Sequence, residues 1–230
     1  MIQKVAWEKE YKNPTFLTKE MEPQADTVRF FKFLNKEEKF SIEGKHLIDL
    51  GCGTGRNSFY ATELGFGASG VDISKTAISE GLEYAKENNI SIGLKVGSMG
   101  EKLSYGDNIF DVALDVTSSN SLTEAEREVY FYEMDRILKP GGYVYVKALC
   151  KEGDTNAKVL LKRSPGSEKD TYILPEQKIM ERVWIKKDIT DFYSRKFKVI
   201  HLEMKESYTS MGDRKYKRRF WLMYLQKNSM

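Results

Sequence analysis

From residue 45 onward the apolar positions follow a repeating order: a short unbroken apolar run, a glycine-rich or polar turn, then apolar residues three and four apart. Unbroken runs suit strands buried on both faces, and the wider spacing suits helices that lay one face on a core. This order predicts strands at 46–50, 68–73, 92–96, 110–116 and 143–149, with helices over 56–64 and from Ser74 as N-cap to about residue 88. A capping box, Ser121-Leu122-Thr123-Glu124, opens a third helix carrying Tyr130, Met134, Ile137 and Leu138, and Lys139-Pro140-Gly141-Gly142 stops it. Ahead of this core, a polar start and a turn at Asn13-Pro14 precede a helical stretch with Val28, Phe31 and Leu34 on one face. Beyond it, residues 151–175 read as loop with some helix. Residues 196–204 and 219–226 read as two strands joined by a polar stretch, 205–217. Alternating strands and helices followed by a strand pair imply an α/β fold: a doubly wound, mostly parallel sheet with an antiparallel tail.

The first strand-to-helix turn carries the chemistry. Asp49-Leu50-Gly51-Cys52-Gly53-Thr54-Gly55-Arg56 places GxGxG between a strand and a helix, where glycines admit a ligand close to the backbone and helix-terminal N–H groups point at it. Asp72, at the end of the next strand, lies 17 residues beyond Gly55, near the spacing at which a carboxylate meets ribose hydroxyls. A dinucleotide site gives the same first impression. Its pyrophosphate fingerprint, GxGxxG, needs glycine at position 56, which is Arg56 here. Asp49, two residues before the first glycine, suits a cationic or polar amino-acid tail better than a phosphate. Both departures disfavour NAD.

The 230 residues, with 40% apolar, 31% charged and 5 Pro, fit one sizeable α/β domain and exclude disordered and fibrous classes. No apolar run approaches the roughly 18 residues a membrane span needs, and the first ten residues lack a signal-peptide core, so a cytosolic (cytoplasmic) protein is expected. Two separated cysteines, Cys52 and Cys150, suggest neither a disulfide nor a metal site. The net charge of +3 is uneven: residues 1–150 hold 18 basic and 23 acidic groups, residues 151–230 hold 19 and 11. The run from Arg214 to Arg219, five cations around Tyr216, is the one pointer to a nucleic-acid partner, and it also reads as charge guarding a strand edge.

Asp49-Leu50-Gly51-Cys52-Gly53-Thr54-Gly55 resembles motif I of the class I methyltransferases that use S-adenosylmethionine. Asp72, Gly97-Ser98-Met99, the strand ending in Asp115, and Leu138-Lys139-Pro140-Gly141-Gly142 resemble further family features at the expected spacing over residues 45–150. The resemblance implies a seven-stranded Rossmann-like sheet in the order 3-2-1-4-5-7-6 with the last strand antiparallel, and S-adenosylmethionine as cofactor. It implies that Asp72 and Ile73 meet the ribose, that Ser98 and Met99 meet the adenine, and that Asp49, Gly51, Cys52, Gly53 and Arg56 meet the methionine part. Ser98 departs from the acidic residue common there. Residues 1–44 form an N-terminal segment in which Trp7 and Tyr11 either close over the cofactor as a lid or dock against the core, and 151–230 supply substrate-side loops and closing strands. Asp115 heads a polar run through Asn120. It either faces the acceptor as an acid or is a strand-end carboxylate bound to cofactor or backbone amides. The run lacks the Asn/Asp-Pro-Pro-Tyr signature of nucleobase amine methylation. The expectation is methyl transfer to a small molecule, with no metal; RNA or protein acceptors, and a non-catalytic S-adenosylmethionine-binding member, are the rivals.

Overall fold

The computed structural model of the chain describes residues 2–15, 17, 20–211 and 214–229. Its strands form where the sequence runs apolar without a break: β1 His46–Leu50, β2 Gly67–Asp72, β3 Gly93–Val96, β4 Phe110–Val116 and β5 Leu138–Leu149. Two long strands, β8 Phe197–Met211 and β9 Arg214–Lys227, complete a seven-stranded sheet ordered β3-β2-β1-β4-β5-β9-β8. The first five strands are mutually parallel; β9 runs antiparallel to both β5 and β8. Counted within this sheet, that is the order 3-2-1-4-5-7-6 expected from the resemblance. A separate hairpin, β6 Thr171–Ile173 with β7 Met180–Arg182, sits outside it.

Every residue of β4 is buried, as a strand covered on both faces must be. Ile48, Leu50, Ala113 and Val144 face α5 (Glu124–Ile137) and α7 (Lys186–Ser194). Leu47, Val112, Leu114 and Tyr145 face the opposite layer, which contains α2 (Ala25–Lys36), α3 (Arg56–Glu63) and α6 (Thr155–Arg163). A smaller cluster around Phe59, Ile78 and Leu94 joins α3 to α4 (Lys75–Glu87).

Some boundaries move, each for a local reason. α5 starts two residues later than the sequence suggests: Thr123 and Glu126 form the capping box, because Ser121 closes a 3-10 turn, Ser119–Ser121. Lys139 to Gly142 belong to β5 across a register shift, with Leu138 already paired to Phe110. Within the polar stretch, residues 205–211 continue β8 and residues 214–217 continue β9. Alternation of charge carries it there, since Glu206 faces Arg219 across the ladder and also holds Lys217 at 3.0 Å. The polar start is a helix, α1 (Ile2–Lys12), too short to be stable alone and held by packing. Its neighbour α2 is anchored by Phe30, fully buried with its ring 5.3 Å from that of Tyr145 and 5.0 Å from that of Tyr224. Phe30→Ala is expected to cost about 3–5 kcal/mol, read as a lowered midpoint in urea unfolding.

Candidate active site

The turn after β1 is shaped by two hydrogen bonds from its backbone to the neighbouring strand: Gly51 and Cys52 donate to the Val71 carbonyl at 2.7 and 3.0 Å. Gly51 then lies at φ +75° and Gly53 at +58°, where a side chain is strained. Space forbids one as well: a Cβ on Gly51 would meet the Ser118 side chain at 2.3 Å, and one on Gly53 the Tyr11 hydroxyl at 2.5 Å. Gly53 N–H donates to Asp72 Oδ2 and Ser74 N–H to Asp72 Oδ1, both at 2.8 Å, so the end of β2 clasps the glycine turn. Burial pushes the Asp72 carboxyl up to about 6 despite these bonds.

A cavity of about 380 Å³ opens along the carboxyl ends of β1, β2 and β4, a size suited to a small-molecule ligand. Gly51, Cys52, Gly53 and Arg56 line one side, Asp72 and Ile73 the next, and Ser98 and Met99 the third. Trp7 and Tyr11, one helical turn apart on α1, close the cavity from the N-terminal side. Glu8 fastens that helix: it accepts from the Ser74 hydroxyl at 2.8 Å and the Thr76 hydroxyl at 2.7 Å. At the end of β4 stand Val116, Thr117, Ser118, Ser121 and Leu122. Thr117 holds φ +63°, rare for a β-branched residue, and Ser118 donates to the Gly51 carbonyl at 2.9 Å.

Comparison with known proteins fits this arrangement. A profile described as a methyltransferase domain matches residues 41–201. The chain belongs to the methyltransferase domain family. Among relatives of this chain, the ubiquinone biosynthesis O-methyltransferase of Caulobacter vibrioides is 31% identical over 47% of the chain and 42% of its own length. The phosphoethanolamine N-methyltransferase 3 of Arabidopsis thaliana is 32% identical over 49% and 22%. The chain thus aligns with less than half the length of these relatives. An S-adenosylmethionine-dependent methyltransferase of Methanosarcina mazei superposes with a TM-score of 0.74 at 21% identity, covering 84% of this chain and 97% of that one. The 1,6-didemethyltoxoflavin-N1-methyltransferase of Burkholderia thailandensis superposes with 0.71 at 14% identity, covering 99% and 88%; its structure holds its acceptor and S-adenosylhomocysteine. At these identities the likeness is one of fold.

Ten of the twelve residues singled out from the sequence line the cavity; Asp49 and Asp115 do not. Asp49 is buried behind the turn, accepting from the Ser58 hydroxyl at 2.9 Å, and burial, with Asp72 and Asp115 nearby, pushes it up to about 7. Asp115 stands behind the cavity wall and not in it. Fully buried, it accepts from the backbone N–H groups of Ser118 and Ser119 at 3.1 Å and from the Tyr130 hydroxyl at 2.8 Å, the amide-binding alternative of the sequence reading. Asn120 likewise turns inward, to the Leu149 N–H. Burial pushes the Cys52 thiol well above its usual range, which disfavours the thiolate that a nucleophile needs. Sequence reasoning missed Gln3, Gln24, Ser121 and Leu122 as lining residues. The four-residue spacing of Trp7 and Tyr11 was the available signal for the α1 wall. Among the described residues no group of three or more His, Cys, Asp and Glu is arranged to hold a metal.

Burial opposes the charge on Glu8, yet the bonds from Thr76 and Ser74 hold its carboxyl down at about 2, against an ordinary 4.5. A depressed acid stabilises above its unfolded value, so α1 docking is complete above about pH 4.5 and is lost as pH falls toward 2. Glu8→Ala is expected to loosen α1 by about 1–2 kcal/mol at neutral pH, seen as faster proteolysis near residue 12 than in the wild type.

Proposed function

We propose that this chain is an S-adenosylmethionine-dependent methyltransferase acting on a small molecule, with residues 1–44 as a lid, 45–150 as the donor-binding core and 151–230 as closing elements of one domain. The observation that carries this is the clasp of Gly53 and Ser74 on Asp72 beneath the Trp7–Tyr11 wall. It fits the donor in three ways. The left-handed glycine turn keeps side chains out of the cradle, Asp72 stands where ribose hydroxyls would donate, and Met99 and Ser98 form the far wall for a base. Relatives named as ubiquinone, fatty-acid and phosphoethanolamine methyltransferases, and the neighbour holding 1,6-didemethyltoxoflavin, support a small acceptor.

Held by the glycine turn and Asp72, S-adenosylmethionine would supply a methyl group already activated on a positive sulfur, ready for an acceptor's electron pair, with the pair of the broken carbon–sulfur bond left on sulfur. The protein's part is positioning, worth about 7–11 kcal/mol at best. Asp72 fixes the nucleoside end. Trp7 and Tyr11 exclude water from above. At the acceptor end, Thr117, Ser118 and Ser121 offer hydroxyls between the apolar Val116 and Leu122. The Ser121 hydroxyl is buried without a partner among the described residues, which suits a donor or acceptor for substrate. Asp115 acts through the loop: by holding Ser118 and Ser119 N–H groups it sets where those hydroxyls stand.

The basic run near the C-terminus gives little support to a polyanionic acceptor, since Lys217 and Arg219 pair with Glu206, and Arg218 is buried against Asp154 at 3.1 Å. No helix among the described residues is long and apolar enough to cross a membrane, and Cys52 and Cys150 are both free, as a reducing cytosol would keep them.

Calorimetric titration tests the assignment. S-Adenosylmethionine and S-adenosylhomocysteine should bind and NAD should not; Asp72→Ala should weaken both by about 10- to 100-fold, in line with about 1.5–3 kcal/mol for bonds to a charged group. No binding by the wild type would sink the proposal, and binding without turnover on any acceptor in a cell extract would leave a non-catalytic member of the family. Affinity should also fall as the pH drops through about 6, where Asp72 takes up a proton and loses its capacity to accept two hydroxyls.

A further inference from the structure

A second concavity, of about 350 Å³, lies between α5, β7 and α7, away from the donor cavity. Trp184 forms its floor. The Arg182 guanidinium lies 4.6 Å from the centre of that ring and the Arg127 guanidinium 5.5 Å. Both arginines are buried, at 7% and 3% exposure. Each spends one terminal nitrogen on a backbone carbonyl, Arg127 on Leu122 and Arg182 on Lys169, and the Nε of each finds no acceptor among the described residues. Neither guanidinium is within ion-pair distance of a carboxylate among those residues. They repel one another: burial first, and the charge of Arg182 next, lower the pKa of Arg127.

The rim is different. Three of its four acids are matched, Asp188 to Lys169 at 2.8 Å, Glu128 to Arg195 at 3.0 Å and Asp191 to Lys187, and the fourth, Glu124, acts on Arg127 at longer range. Glu168, whose charge Arg127 also feels, accepts the Glu124 N–H at 2.8 Å. The floor therefore holds two desolvated cations with no ion-pair contact among the described residues, Glu168 and Glu124 acting on Arg127, and Asp188 on Arg182, only at longer range. The aromatic face offsets part of that cost; it leaves the in-plane N–H edges of both guanidiniums, the geometry that grips phosphate, without an anion.

We propose that this concavity is a binding site for a phosphate-bearing small anion, gripped by Arg127 and Arg182 against Trp184. The site is independent of the methyl-transfer reading, yet it touches the same loop. The Leu122 carbonyl that Arg127 holds belongs to a residue lining the donor cavity, and β7 packs on the Ser119–Ser121 turn. An occupied site stiffens the acceptor end of that cavity.

The experiment is calorimetric titration of the intact protein with inorganic phosphate and, separately, with glycerol 3-phosphate, at ionic strength held constant with chloride. Saturable one-to-one binding is expected, weakened at least tenfold in Arg182→Lys, which keeps the charge and loses the fork, and unchanged in Arg56→Gln of the donor cavity. Tighter binding of glycerol 3-phosphate would identify a phosphate ester as the source, and tighter binding of phosphate the free ion; either supports the site. Absence of saturable binding by the wild type overturns it whether or not the variant folds. Loss of binding in Arg56→Gln, with Arg182→Lys unaffected, would overturn it too, by placing the anion in the donor cavity.

Discussion

Three carboxylates crowd the carboxyl end of the sheet, Asp49 on β1, Asp72 on β2 and Asp115 on β4, all of them buried, and the cavity takes its shape from how each is satisfied. A parallel sheet leaves this end open while its faces are covered, so charges placed there share one low-dielectric crevice. Asp72 draws in the glycine turn and the start of α4, Asp49 holds Ser58 on α3, and Asp115 pins the loop after β4 and the Tyr130 hydroxyl. Burial first, and mutual repulsion next, raise Asp49. A ligand carrying positive charge on sulfur and on an amino group relieves this repulsion where it is greatest, and a pyrophosphate would aggravate it. The same repulsion disfavours NAD without appeal to the missing glycine at position 56.

The α1 wall of the cavity depends on a different set of charges. Glu8 ties α1 to the N-terminus of α4, where unsatisfied N–H groups favour an anion, and Glu10 gathers Thr15 and Leu17 behind it. Gln24 continues the wall, its N–H held by Asn57 of α3 and its side chain by Lys147 of β5. Lys147 is buried with Asp26 at 2.9 Å, and Lys205 shares that carboxylate. Breaking such a pair strands a buried charge, so its value lies in fixing where α2 begins more than in net stability. Residues far apart in sequence thereby become one wall of the cavity.

The sheet order and the donor side of the site were legible because both follow from local pattern: apolar runs for strands, and glycines and an acid at fixed offsets around one turn. What escaped depends on three-dimensional partners. The helical character of residues 2–12 emerges only when Trp7, Tyr11 and Glu8 find the core. The β6–β7 hairpin is too short for a periodic signal, and the charged ribbon 205–217 reads as loop until Glu206 meets Lys217 and Arg219 across it. Asp115 shows the limit most plainly. Its position at the end of β4 was right, yet only the rotation of its side chain toward Ser118, Ser119 and Tyr130 decides between touching substrate and holding a loop.

That distinction bears on why the acceptor is harder to read than the donor. On the proposed assignment the donor meets groups whose types are constrained, a carboxylate for a diol and glycines for a close approach. The acceptor end is assembled from hydroxyls and apolar groups whose identities suit many molecules, and its selectivity resides in their placement. Thr117 in a left-handed conformation, its N–H on the Lys147 carbonyl at 2.8 Å, and Ser118 braced on the Gly51 carbonyl make that placement rigid. Strain of this kind persists only where the surroundings over-determine it, and here they do so from both sides, the glycine turn below and the Asp115 amide clasp behind. On the proposed assignment the loop at the acceptor end is fixed by the same glycine turn that cradles the donor, and Ser121, whose hydroxyl takes no part in that bracing, is where one fold can change a side chain without disturbing it.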